Sequence, residues 1–257
     1  MDLQISGKTA LVAGSSRGIG RAIAEALLAE GCRVCLTGRD GDSLEAAREA
    51  LARAHGAGRL HAIAGDFTDA AVIESAFREV IERWGGIDIL VANLGTGSGK
   101  PGWQQDEAEW ERLFRLNFFG SVRLAQAAIP HLKGRGGSIL FVSSIVGVEA
   151  TPAPLPYSAA KAALLNYSKN LSRIVAPDGI RVNSIAPGNI LFPGGSWEKH
   201  LANRREAVEQ YIAAEVPEKR FGAPEEIASL AAYLCSPVSG FATGGCYIMD
   251  GGQTRRI

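Results

Sequence analysis

Tyr157 and Lys161 stand four positions apart in Tyr157-Ser-Ala-Ala-Lys161, and Ser144 precedes the tyrosine by thirteen residues. On a helix, positions i and i+4 share a face, so the lysine ammonium can lie near the phenol and stabilise its ionised form. A phenol that ordinarily titrates near pH ~10 then becomes usable for proton transfer closer to neutrality. Ser144, at the end of an apolar run, is placed to hydrogen-bond a substrate oxygen. Near the start of the chain, Gly14-Ser-Ser-Arg-Gly18-Ile-Gly20 joins an apolar run to a helical pattern. Missing side chains there let the backbone approach a pyrophosphate, which helix-start amides face. Tyr-x-x-x-Lys or a glycine triplet alone occurs in many chains. Their order and separation here point to dinucleotide-dependent hydride transfer.

These groups need a scaffold that brings distant segments together. Short apolar runs at Thr9 to Ala13, Val34 to Thr37, Leu60 to Ala64, Ile87 to Ala92, Ile139 to Ser143, Ile180 to Ala186 and Cys246 to Met249 alternate with helical patterns. Runs without clean period-two alternation suit strands covered on both faces, as in a parallel sheet. Ala22, Ile23, Ala26 and Leu27 form a helical stripe closed by Gly31. Asp42 or Ser43 is placed to cap the next helix. A further helix runs from near Asp69 to Gly85, with Val72, Ile73, Ala76, Phe77, Val80 and Ile81 on its buried face. The expected fold is α/β, a Rossmann-type doubly wound parallel sheet of about seven strands flanked by helices, with residues 1–257 as one domain. Two loop-like segments, Gly95 to Gly102 and Pro187 to Ser196, follow strand ends where such sheets bind ligands.

The 257 residues hold 27 Lys plus Arg against 27 Asp plus Glu, so no basic excess suggests a nucleic-acid footprint. Neither a signal peptide nor an apolar run of spanning length is found, and the expectation is a cytoplasmic protein without a membrane partner. Cys32-Arg-Val-Cys35 invites a redox reading, but residues three apart on a strand point to opposite faces about 10 Å apart, beyond the ~7 Å reach of a disulfide. His55, His61, His131 and His200 show no metal-ligand spacing and are expected at the surface, with no metal site.

The combination of Gly14-x-x-x-Gly18-x-Gly20, Ser143-Ser144-Ile-Val-Gly147 and Tyr157-x-x-x-Lys161 resembles the classical short-chain dehydrogenase/reductase family, over nearly the whole chain. Within it, the glycine turn is similar to that of bacterial 3-oxoacyl carrier-protein reductases. The resemblance implies Ser144 for substrate positioning, Tyr157 for proton transfer, Lys161 for lowering the tyrosine pKa and binding ribose, and Asn117 for a water-linked proton relay. It also implies cofactor contacts from Gly14, Ser16, Arg17, Gly18, Ile19 and Gly20, from the adenine-side pair Asp66-Phe67, from Asn93 and Gly95, and from Pro187-Gly188. Phe192 stands where the family usually has a threonine, leaving backbone contacts from Ile190 to serve the nicotinamide. Ala13, Ala92 and Leu94 depart from the family pattern beside these positions. The family further implies a homotetramer, for which a small-residue stripe of Ala159, Ala163 and Ser168 would allow close helix packing.

The position that carries a ribose-binding acid in NAD enzymes is Gly38 here, and Arg17 and Arg39 can flank a 2'-phosphate instead. NADP(H) is therefore favoured, with NAD(H) the alternative. The leading activity is reduction of a small-molecule ketone, aldehyde or 3-oxoacyl thioester. An NAD-preferring alcohol or sugar dehydrogenase is the runner-up, and a catalytically silent dinucleotide-binding sensor the alternative of another class. Thr96, Ile145, Val146, Leu155, Phe192 and Trp197 suggest a partly apolar substrate pocket. Arg204 and Arg205 read either as an attraction for a carrier-linked acyl group or as a solvated pair.

Overall fold

Seven apolar runs become seven strands: β1 (Thr9–Val12), β2 (Arg33–Gly38), β3 (Leu60–Ala64), β4 (Ile89–Ala92), β5 (Ser138–Val142), β6 (Arg181–Pro187) and β7 (Cys246–Met249). The computed structural model describes residues 1–256. The strands form one sheet in the order β3-β2-β1-β4-β5-β6-β7, and every neighbouring pair is parallel. Between them lie α1 (Gly18–Ala29), α2 (Gly41–His55), α3 (Ala70–Trp84), α4 (Glu107–Phe114), α5 (Gly120–Leu132), α6 (Leu155–Val175), α7 (Ser196–Glu215) and α8 (Pro224–Cys235).

Alternate residues of each strand feed two separate cores. Ala10, Val12, Val34, Leu36, Leu140 and Val142 pack with α1, α2 and α8, whereas Leu11, Cys35, Leu90, Ile139 and Phe141 pack with α3, α5 and α6. Because both faces are covered, the strands carry no polar side to mark their period. Cys32 and Cys35 belong to different cores and are free thiols. No helix among the described residues is long and apolar enough to cross a membrane.

Local chemistry sets the helix ends. The Asp69 carboxylate accepts from Ala71 N at 2.8 Å, and Gly85, at φ 82°, closes α3 in the left-handed region. At α2 the cap is neither Asp42 nor Ser43. The helix begins two residues earlier than an Asp42 cap would set it, at Gly41, so Asp40 takes the cap position and accepts from Ser43 N at 2.7 Å. Ser168 also departs from expectation. That side of α6 faces the sheet, and Ser184 of β6 donates to the buried Ser168 hydroxyl at 2.9 Å.

The strand order reverses between β1 and β4, and the crevice beyond their carboxyl ends is where such sheets take ligands. Three features shape its floor. Asn117 lies in a π turn, Arg115–Phe119, joining α4 to α5, a widened turn often found at functional sites. A 3-10 turn, Ile145–Gly147, follows β5 and lies directly on α6. A Cβ on Gly147 would come within 2.6 Å of the Lys161 carbonyl carbon and 2.8 Å of Ala162 N. Ser143 Oγ closes the same junction by donating to the Lys161 carbonyl oxygen at 3.1 Å.

Gly147→Ala is therefore expected to force the turn off α6, costing about 1–3 kcal/mol of stability by overpacking and lowering turnover by shifting Ser144 against Tyr157. Urea denaturation checks the first effect. An unshifted midpoint would show that this contact is not a constraint.

Candidate active site

A cleft of about 530 Å³ opens at the carboxyl ends of the strands, lined from Asp66 beyond β3 to the segment following β6. At one end it gathers three of the candidates for proton chemistry, Ser144, Tyr157 and Lys161, with the fourth, Asn117, buried behind its wall. Ser144 leaves β5 with extended backbone and caps the 3-10 turn, its hydroxyl accepting from Val146 N at 3.4 Å. Tyr157 and Lys161 project from successive turns of α6, and both line the cleft. Lys161 is 4 % exposed, and its Nζ donates to the carbonyls of Val142 at 2.9 Å and Leu94 at 3.4 Å. Asn117 Oδ1 accepts from Thr96 N at 3.0 Å, while Nδ2 donates to Leu113 O and Thr96 O. Gly95 separates these two groups: a Cβ there would strike Asn117 Oδ1 and lie 3.1 Å from Lys161 Nζ.

The electrostatics differ from the expectation that lysine draws the phenol down. Burial pushes the Tyr157 phenol above its ordinary value, opposed by the Ser144 hydroxyl. Burial also pushes the Lys161 ammonium down, to about 8, in a site where its donated bonds go to carbonyls. Dry surroundings penalise the charged form of both groups.

The other end is a cradle of backbone. Gly14 and Gly18 have φ of 65° and 57°, in the left-handed region. A Cβ on Gly14 would lie 2.6 Å from Asn93 O, and one on Gly20 would run into Gly14 O. Arg17 precedes α1 without a side-chain cap, leaving the first helical amides to the cleft. The shape, the uncapped amides and the glycine surface fit the pyrophosphate of a dinucleotide. Arg17 and Arg39 are exposed and line this end, and Gly38 presents no side chain to it. Asp40, the nearest acid in sequence, is bound to Ser43 N.

Asp66 stands at the far rim. Its burial favours the neutral form, but bonds from Thr68 N and Oγ1 and the charges of Arg115 and Arg39 hold the carboxyl below its usual range. Phe67 lines the cleft but is 2 % exposed and packs into the core. Ser16, Ile19, Asn93, Pro187, Gly188 and Ile190 all line the cleft. Asn93 is engaged as a brace, with Nδ2 donating to Gly14 O at 3.1 Å. Gly188 admits the chain after β7, since a Cβ would lie 2.8 Å from Asp250 Cα.

Sequence reasoning missed the pair that holds the turn. Buried Ser15 and Thr37 exchange bonds, Ser15 N to Thr37 O at 2.9 Å and Thr37 N to Ser15 Oγ at 2.9 Å, and Gly14 N donates to Thr37 Oγ1. The polar Thr37 ending an apolar run was the available signal. Among the expected pocket residues, Thr96, Ile145, Val146, Phe192 and Trp197 line the cleft, whereas Leu155 does not and is 47 % exposed. Phe192 packs its ring on Gly18, where a Cβ would come within 2.6 Å of it. His200 and Arg204 line the cleft too, while Arg205 pairs with Glu209 at 3.2 Å.

Residues 13–254 match the family model described as enoyl-(acyl carrier protein) reductase. The 3-oxoacyl-(acyl-carrier-protein) reductase of Aquifex aeolicus is 34 % identical over 254 residues, covering 98 % of this chain and 100 % of the relative. L-sorbose reductase from Gluconobacter frateurii, solved with NADPH and L-sorbose, superposes with a TM-score of 0.91 at 35 % identity, covering 100 % of both chains. A 7α-hydroxysteroid dehydrogenase solved with NADH superposes at 0.90 and 28 % identity, covering 99 % of this chain and 97 % of that one. With the glycine cradle, the Ser-Tyr-Lys cluster and the sheet order already in hand, these matches establish that the chain belongs to the classical short-chain dehydrogenase/reductase family, as an oxidoreductase that interconverts CH-OH and carbonyl groups with a nicotinamide dinucleotide.

Proposed function

We propose that this enzyme reduces a ketone or aldehyde to the alcohol, with NADPH preferred over NADH. The observation that carries the reading is the convergence of Ser144, Tyr157 and Lys161, backed by buried Asn117, at one end of a cleft whose other end is a glycine cradle flanked by two arginines. When bound, the reduced nicotinamide supplies a hydride to the carbonyl carbon. Ser144 Oγ donates a hydrogen bond to the carbonyl oxygen, and Tyr157 Oη gives that oxygen its proton. A phenol raised by burial stays protonated at neutral pH, which suits a proton donor. Lys161, charged below about pH 8, stabilises the phenolate left behind, and Asn117 holds the Thr96 segment that walls the Lys161 side of the site. The arginines support NADPH because guanidinium groups form charge-assisted bonds to a 2'-phosphate. The placement of Asp40 supports it further, since it caps α2 and does not line the cleft.

Tyr157→Phe is expected to lose at least ~100-fold in turnover while still binding the dinucleotide. Steady-state assays at the nicotinamide absorbance band measure this, and near-native turnover would remove the tyrosine from its role. Wild-type kcat/KM is expected to favour NADPH, and Arg39→Ala to reduce that ratio about tenfold. A wild-type preference for NADH would overturn the cofactor assignment. Because Lys161 is charged below its pKa and neutral above it, reduction should fall as pH rises through about 8. A profile flat from pH 7 to 10 would show that the ammonium charge is not required.

A further inference from the structure

Helix α7 does not run straight. Arg204 has φ −154° and ψ 54°, and the chain folds there into two helical arms. Trp197 and Tyr211 are fourteen positions apart, about 21 Å along an unbroken helix, yet their rings stack at 5.7 Å with planes 19° apart. Both rings line the cleft, and Arg204, at the bend between them, lines it too. Gln253 fixes the second arm, donating to Tyr211 Oη at 2.8 Å while accepting from Asn189 Nδ2 at 2.7 Å.

The charge around this bend is one-sided. Lys199, His200 and Arg204 line the cleft, and among the described residues its only lining carboxylate is Asp66. Asp66 follows β3 while α7 follows β6, five strand spacings away, or about 24 Å across the sheet. Asp66 is in any case engaged by Thr68 and Arg115. Arg204 makes no ion pair among the described residues. Its side-chain contact is with His200 Nδ1, 3.4 Å from Nη2. Burial and the Arg204 charge both push the His200 imidazole down, so the guanidinium is the fixed charge of the pair. A planar guanidinium set against His200, whose ring meets Trp197 edge-on at 5.6 Å, and with no acid of its own, matches a carboxylate or phosphate.

We propose that Arg204 is a specificity-determining residue that receives an anionic group of the substrate, a carboxylate or a phosphate, borne on the side remote from the reacting carbonyl. This rests on the reductase reading for the carbonyl end of the cleft.

The test compares matched probes: 5-oxohexanoate and 7-oxooctanoate against their methyl esters, and dihydroxyacetone phosphate against dihydroxyacetone. Each is measured for kcat/KM with NADPH and, separately, for binding to the enzyme in the presence of NADP+ by tryptophan fluorescence. The wild type is expected to favour at least one anion about tenfold or more over its neutral partner, chiefly through KM. Arg204→Met should bring that ratio close to one, and Arg204→Lys should restore part of it. A preference for the acids names a carboxylate, and one for the phosphate names a phosphoryl group. Anion-selective binding that depends on Arg204, without turnover of any probe, would uphold this inference while counting against the reductase reading. Equal use or equal binding of charged and neutral partners, or a ratio unchanged in Arg204→Met, would overturn it.

Discussion

The buried ammonium of Lys161 is the constraint around which the site is arranged. Its bonds to Leu94 O and Val142 O tie α6 to the exits of β4 and β5. A cation taken out of water is tolerated only when such partners are in place. The surrounding residues follow from that requirement. Gly95 has no side chain because one would strike Asn117 Oδ1 and crowd Nζ at 3.1 Å, and Gly147 has none because the turn bearing Ser144 rests on the Lys161 peptide. Ser143 holds that turn down through the Lys161 carbonyl. The tyrosine one helical turn earlier is thereby fixed beside it, half-buried in the wall of the cleft.

The cofactor end obeys a different rule. Among the described residues, no charged side chain hydrogen-bonds to the glycine turn. It is held by neutral bonds between Ser15 and Thr37 and by the Asn93 amide reaching Gly14 O. Such bonds are short and directional and leave the first amides of α1 unengaged, as an anionic ligand requires. Charge enters at the edges, with Arg17, Arg39 and the Asp66 carboxylate at this end and Lys199 and Arg204 at the other. The cleft is thus neutral where backbone touches ligand and charged, mostly positively, at its rim, so attraction and positioning are handled by different groups.

Much of the fold was legible because it depends on local periodicity. Strands covered on both faces read as apolar runs, and helix ends such as Asp69 and Gly85 have local signatures. The capping of α2 was misread because Asp40, Asp42 and Ser43 all suit a helix start, and only the starting residue of the helix decides among them. Ser168 looked like part of an exposed stripe because small residues do not reveal which side of a helix faces the sheet; its bond to Ser184 does.

The site divides along the same line. Residue types and spacing along the chain determined the family, the parallel doubly wound sheet and the Ser144, Tyr157 and Lys161 candidates, because i to i+4 geometry and strand-to-helix glycine turns are properties of short segments. Tertiary structure decided how those groups are charged, since burial and carbonyl partners, not sequence neighbours, push Tyr157 up and Lys161 down. It also decided that Arg204 faces the cleft while Arg205 pairs with Glu209, because the bend that parts them depends on contacts between residues far apart along the chain.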